Sequence, residues 1–199
     1  MSEKYDPYEH WNTREHPNTA EDPGLNPAEH NFFGPKLAQA QALLELGPGV
    51  GRLFPLYKGV PRVETLDLST NYQTRAQASA DAAGVSINAN YIDDPLAPFS
   101  FEDNTFDLGI ACHVLMHIPF ENIEHSMSEL ARCCRTVAVI TAEERSWPRK
   151  GTDFDPRWHC FAHDYEKLCE ELGFAFGEKV MITERETIKS YAFTFQRSP

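Results

Sequence analysis

Residues 42–52 read Ala-Leu-Leu-Glu-Leu-Gly-Pro-Gly-Val-Gly-Arg, and this stretch decides the fold. Ala42 to Leu46 is a short, mostly apolar run, the pattern of a strand buried on both faces. Gly47, Gly49 and Gly51 then recur at every second position. Glycine lets the backbone turn sharply and lets a ligand approach with no Cβ in the way. Val50 to Tyr57 is expected to begin a helix whose free N–H groups point back at the loop. Strand, glycine loop and helix start together open a nucleotide-binding βαβ unit.

Two details narrow the nucleotide. A dinucleotide fingerprint, G-x-G-x-x-G, would need glycine where Arg52 stands, which disfavours a nicotinamide-dependent oxidoreductase. Glu45, at the strand end, would repel a pyrophosphate and suits a ligand with a cationic group nearby. Val63 to Leu68 reads as a second strand carrying Asp67 near its end. That aspartate lies about twenty residues beyond Glu45, the offset at which an acidic side chain reaches a ribose diol.

Glu-Leu-Gly-Pro-Gly-Val-Gly followed by Leu-Asp-Leu-Ser resembles the first two motifs of class I S-adenosylmethionine-dependent methyltransferases. The resemblance continues through Asn104-Thr105-Phe106-Asp107-Leu108, through His113-Val114-Leu115-Met116-His117-Ile118-Pro119, and through Tyr165-Glu166-Lys167-Leu168 to Gly173-Phe174, covering roughly residues 40 to 196. It implies an α/β, Rossmann-like fold: a seven-stranded, mostly parallel sheet with helices on both faces and an antiparallel C-terminal hairpin. It also implies S-adenosylmethionine as cofactor and S-adenosylhomocysteine as product. By the same resemblance, Glu45 holds the loop or the cationic end of the cofactor, and Gly47 and Gly49 let the backbone approach it. Asp67 takes the ribose hydroxyls, Leu68 covers the adenine, and Asp93 or else Asp94 takes the adenine amino group.

The chain has 199 residues, room for one α/β domain with a sizeable core. No stretch approaches the roughly 20 apolar residues of a membrane span, and the polar N-terminus shows no secretory signal, so a cytoplasmic location is expected. Formal net charge is −12, from 18 Lys+Arg against 30 Asp+Glu. Without a basic run, the chain is a poor candidate for gripping nucleic acid. Five cysteines without a C-x-x-C spacing read as reduced, packed thiols.

Residues 1–35 are expected to form an irregular N-terminal segment, dense in proline, ahead of a methyltransferase domain over 36–199. Its aromatic side chains need a place to bury themselves, and by resemblance Tyr5, Tyr8 and Trp11 are candidates for a lid over the cofactor or the acceptor. Helices are expected over Asn71–Ala83, Glu121–Arg135 and about Asp164–Leu172, and further strands at Val85–Ile92, Phe106–Ala111, Thr136–Thr141, Phe174–Thr183 and Thr187–Gln196. The fourth strand delivers Cys112 and His113 to the carboxyl edge of the sheet, where open α/β sheets bind ligands. An irregular insertion over residues 143–161 holds Trp147, Trp158 and His159 and is expected to line the acceptor pocket.

Methyl transfer is an in-line displacement, so positioning dominates its catalysis. A base is needed only for a poorly ionised hydroxyl or a protonated amine, and histidine suits that role at neutral pH. His113 and His159 are the candidate catalytic residues. His117 reads as structural and His163 as a capping or exposed residue, and no metal is expected. The favoured acceptor is a small molecule. The rivals are a protein or peptide acceptor and a non-catalytic cofactor-binding scaffold.

Overall fold

The computed structural model describes residues 5–13, 26–144, 151, 154–156, 159–186 and 188–198. Strand β1 (Ala42–Leu46) is flanked by β2 (Arg62–Asp67) and β4 (Phe106–Cys112), both parallel to it. β3 (Asn88–Tyr91) extends the sheet beyond β2, and β5 (Cys134–Glu144) extends it beyond β4, again in parallel. The chain then returns as an antiparallel pair, β8 (Phe174–Glu184) and β9 (Ile188–Arg197), with β9 inserted between β5 and β8. The order β3-β2-β1-β4-β5-β9-β8 is the expected seven-stranded, mostly parallel sheet with its closing hairpin. A separate two-stranded ribbon joins β6 (Phe154–Asp155) to β7 (Cys160–Phe161).

Both faces of the sheet are covered, as its central strands require. Leu44, Leu46 and Phe106 face α4 (Ile123–Cys133) and α5 (Tyr165–Glu171) in one apolar cluster. Leu43, Leu108 and Ile110 face α2 (Pro27–Leu37) and α3 (Thr70–Ala83) in the other. Asp107 fixes the entry to β1, because one of its carboxylate oxygens accepts the N–H groups of Gln41 and Ala42 at 2.9 and 3.1 Å.

Three sequence expectations change. No α-helix follows the glycine loop; Phe54–Tyr57 forms a single 3-10 turn. Pro55 lacks the N–H that a helix interior needs, and Gly59, at φ +91°, ends the turn. The N-terminal segment is not wholly irregular, because α1 (Pro7–Thr13) and α2 are helices. Pro7 and Pro27 stand at the first helical position, where the missing N–H costs nothing, and Asn26 with Glu29 forms a capping box. Helix α2 runs through the expected boundary at residue 35, and its Phe32, Phe33 and Leu37 are buried in the core. Cys134, expected within a helix, is the first residue of β5. Trp147 and Trp158 lie outside the described residues.

Phe33 is fully buried beside Phe32. Replacing it with alanine is expected to destabilise the protein by about 3–5 kcal/mol. Urea unfolding measures this, and a loss below about 1 kcal/mol would show that α2 is not part of the core.

Candidate active site

The carboxyl ends of β1, β2 and β4 meet at a cavity of about 530 Å³. Gly47, Gly49 and Gly51 all adopt positive φ, at 63°, 55° and 83°. At Gly47 a Cβ would also collide with the Val114 side chain, so the close approach of the loop to the segment that leaves β4 excludes any other residue. The Gly47 N–H donates to the Leu66 carbonyl at 2.8 Å, tying the loop to β2.

Asp67 sits where the sequence places it, at the end of β2 and lining the cavity. One carboxylate oxygen accepts the Ser69 N–H at 2.8 Å and the other the Gly49 N–H at 3.4 Å. Burial pushes its carboxyl up to about 6, against the pull of these N–H groups. Gly47, Gly49, Leu68, Cys112 and His113 line the same cavity. Glu45 does not. Its side chain is buried on the face of the sheet that the 3-10 turn covers, and burial pushes its carboxyl up to about 8, with the Tyr57 hydroxyl and Arg52 opposing.

At one end of the cavity four groups converge. Arg52 donates two hydrogen bonds to Glu29 of α2, at 2.6 and 3.0 Å, and a third to Cys112 Sγ at 3.3 Å. His113 Nε2 lies 3.9 Å from the same Glu29. Burial alone would raise Glu29, but His113 and Arg52 outweigh it and hold the carboxyl at about 2. His113 is a non-glycine residue at φ +56°, a conformation sustained here by a 2.7 Å hydrogen bond from its N–H to the Ile140 carbonyl. Among the described residues, Glu29, Cys112 and His113 are the His/Cys/carboxylate group close enough to share an ion. The Arg52 guanidinium already matches the Glu29 charge, and burial holds the Cys112 thiol protonated, at about 12. The group therefore suits a salt bridge better than a metal.

Helix α1 lies across the opening. Pro7, Tyr8 and Trp11 line the cavity from above. The helix is latched beside Asp67: the Asn12 amide donates to the Leu68 carbonyl at 3.2 Å and accepts the Thr70 N–H at 3.1 Å, and the Ser69 hydroxyl donates to the Trp11 carbonyl at 3.1 Å. Tyr5 does not line the cavity. It stacks on His159 at 4.8 Å, and its hydroxyl donates to the His117 carbonyl at 3.3 Å.

The two expected catalytic histidines separate. His113 lines the cavity, whereas His159 belongs to the aromatic cluster that joins α1 to the β6–β7 ribbon, with its ring 4.1 Å from that of His10. His117, read as structural, lines the cavity, and its Nδ1 also lies 2.9 Å from the His159 carbonyl. His163 is buried, not exposed; its Nε2 meets the Ile118 carbonyl at 2.9 Å, and burial lowers its pKa to about 4. Asp93 and Asp94 are exposed and do not line the cavity; Asp94 instead caps the turn by accepting the Leu96 N–H at 2.9 Å. The wall there is built by Ile92, Pro95 and Phe99, opposite Ile118, Asn122 and Ser126. The sequence carried no motif for Phe99, Asn122 or Ser126.

Comparison with known proteins places this geometry. Residues 44–140 match the family described as methyltransferase domain. The chain is 26% identical over 144 residues to the Aspergillus luteorubrus protein named "Probable methyltransferase ltbC", covering 66% of this chain and 50% of that one. It is 30% identical over 98 residues to the phosphatidylethanolamine N-methyltransferase of Cereibacter sphaeroides, covering 49% of this chain and 47% of that one. The chain thus spans about half the length of the curated relatives it matches. Among solved structures, the magnesium protoporphyrin IX methyltransferase of Synechocystis PCC 6803 with bound S-adenosylhomocysteine superposes with a TM-score of 0.62 at 20% identity, covering 86% of this chain and 84% of that one. The strand order, the glycine loop with Asp67 at the next strand end, and the match over residues 44–140 agree: this part of the chain is a methyltransferase domain, and its fold is that of the class I S-adenosylmethionine-dependent methyltransferases.

Proposed function

We propose that the protein transfers the methyl group of S-adenosylmethionine to a small-molecule acceptor. The observation that carries this reading is the partly covered cavity. It runs from the glycine loop and Asp67 to α4 and is roofed by α1. Its volume of about 530 Å³ falls in the range of small-molecule sites. In this reading Asp67 accepts the ribose hydroxyls, Leu68 packs on the adenine, and the backbone at Gly47 and Gly49 borders the methionine part. Arg52, Cys112 and His113 lie at the amino-acid end, with the Arg52–Glu29 pair fixing their arrangement. Glu45 supports the loop from below rather than touching the ligand.

The cofactor supplies an electrophilic methyl carbon on a sulfonium. The residues around it need to align the acceptor and exclude water. The aromatic faces of Trp11, Tyr8 and Tyr72 suit a cation that loses its charge as the methyl leaves. His113, in the cavity and backed by Glu29, is the base where the acceptor carries a hydroxyl or protonated amine. Helix α1 acts as a lid that opens by releasing the Asn12 latch. A protein acceptor fits less well, because α1 covers the cavity that a peptide would have to enter.

Methyl-labelled cofactor, incubated with the protein and an extract of the source cells, tests the acceptor class. Label is expected in a dialysable product that separates from the cofactor on chromatography and forms only when the protein is present. Label confined to retained polypeptide would contradict the small-molecule reading and support the protein-acceptor rival.

The Asp67 assignment predicts a pH dependence with a definite sign. Ribose hydroxyls donate to the ionised carboxylate, so binding lowers a pKa that stands at about 6 in the free protein. Affinity for S-adenosylhomocysteine is then full at pH 7 and falls below about pH 6, approaching about tenfold per pH unit. Calorimetry between pH 5 and 7 measures this, and Asp67→Asn should flatten the profile. A wild-type profile already flat would remove Asp67 from the ribose.

A further inference from the structure

Asn122 stands at the N-cap position of α4, yet its side chain makes no capping hydrogen bond. Asparagine is favoured at that position because its side-chain oxygen can take a free N–H of the first turn. Here the residue instead lines the cavity, and its carboxamide has no hydrogen bond to any described residue. Ser126, four residues on and therefore on the same helical face, is buried and lines the same wall.

The opposite wall shows which part of a nucleoside would meet them. With a ribose at Asp67, the base projects past Leu68 toward the end of β3. The cavity there is bounded by Ile92, Pro95 and Phe99, a flat apolar slot. The Ala97–Phe99 segment is fixed directly to α4. The Phe99 N–H donates to Glu129 Oε2 at 2.7 Å, and His125 Nε2 lies 3.1 Å from the Ala97 carbonyl. Asn122 and Ser126, in the first turns of α4 beside these anchors, line the same cavity. Asp93 and Asp94 are exposed and do not line the slot, though both lie near the cavity-lining Tyr8, and Asp94 accepts the Leu96 N–H of its own turn.

The geometry points to Asn122, assisted by Ser126, as the residue that reads the amino-bearing edge of the cofactor's adenine, in place of the acidic side chains after β3. A carboxamide offers one acceptor and two donors, and so matches the adenine amino group and its neighbouring ring nitrogen with two hydrogen bonds. This assignment rests on the cofactor reading above.

The test compares S-adenosylhomocysteine with its analogue lacking the 6-amino group, by calorimetric titration of the full chain. Removing the amino group leaves the amide oxygen of Asn122 unpaired, so the wild type is expected to prefer the adenine ligand by about tenfold. Asn122→Ala should lose that preference. Asn122→Asp, which keeps an acceptor at the same place, should retain it, and so should Asp93→Asn. Preference retained in Asn122→Ala, or lost in Asp93→Asn, would overturn the assignment while leaving the cofactor reading intact. Failure of the wild type to bind either ligand would overturn the cofactor reading and this assignment with it.

Discussion

The Arg52–Glu29 ion pair is the contact on which the site depends. It is bidentate, at 2.6 and 3.0 Å, and the Glu29 side chain is almost wholly buried. Breaking a buried pair leaves an uncompensated charge, at a cost of about 3–5 kcal/mol. Here the pair joins three parts of the chain: helix α2, the glycine loop, and, through Cys112 and His113, the end of β4. Glu29 also closes the capping box of its own helix, so one carboxylate sets both the start of α2 and its seat on the loop. In a nucleotide-binding unit where no α-helix follows the glycine loop, this pair gives the loop the rigid backing that a helix would otherwise provide.

The cavity combines a fixed floor with a roof that has no buried residue. The floor is strand ends and the glycine loop, tied by backbone hydrogen bonds from Gly47 and by Asp67. The roof, α1, has no buried residue; polar latches at Asn12, Trp11 and Tyr5 and the ring contacts of His10 and Trp11 hold it in place. Elements held by few buried apolar contacts open at low free-energy cost. A rigid floor and a roof without buried residues suit a reaction that needs alignment during the chemical step and release of product afterwards.

The sheet was legible because its signals are local and strong. β1, β4 and β5 are apolar runs bounded by turns, and α3 is bounded by Ser69, whose hydroxyl caps its start, and Gly84, whose left-handed backbone ends it. The positions of Asp67 and the glycines at the cavity were legible for the same reason: they follow from backbone geometry and spacing. The helices α1 and α2 were not, because proline at a first helical position reads like proline as a breaker until its neighbours are known. The helix expected after the glycine loop failed at Pro55, where tertiary packing of Phe54 and Tyr57 favours a single tight turn. The base-side wall was hidden more deeply. Phe99, Asn122 and Ser126 carry no spacing pattern, and they meet only because Glu129 and His125 anchor the Ala97–Phe99 segment to α4. Asp93 and Asp94 had the pattern, but the turn that follows β3 leaves them outside the cavity.

The central claim is that the cavity beneath α1 holds an adenosyl cofactor joined to an amino acid rather than a dinucleotide. Calorimetric titration with S-adenosylmethionine, S-adenosylhomocysteine and NAD tests it most directly. The account predicts saturable binding of both adenosyl ligands, with dissociation constants on the order of micromolar, and none of NAD. Binding of NAD, or no binding of either adenosyl ligand, would contradict it.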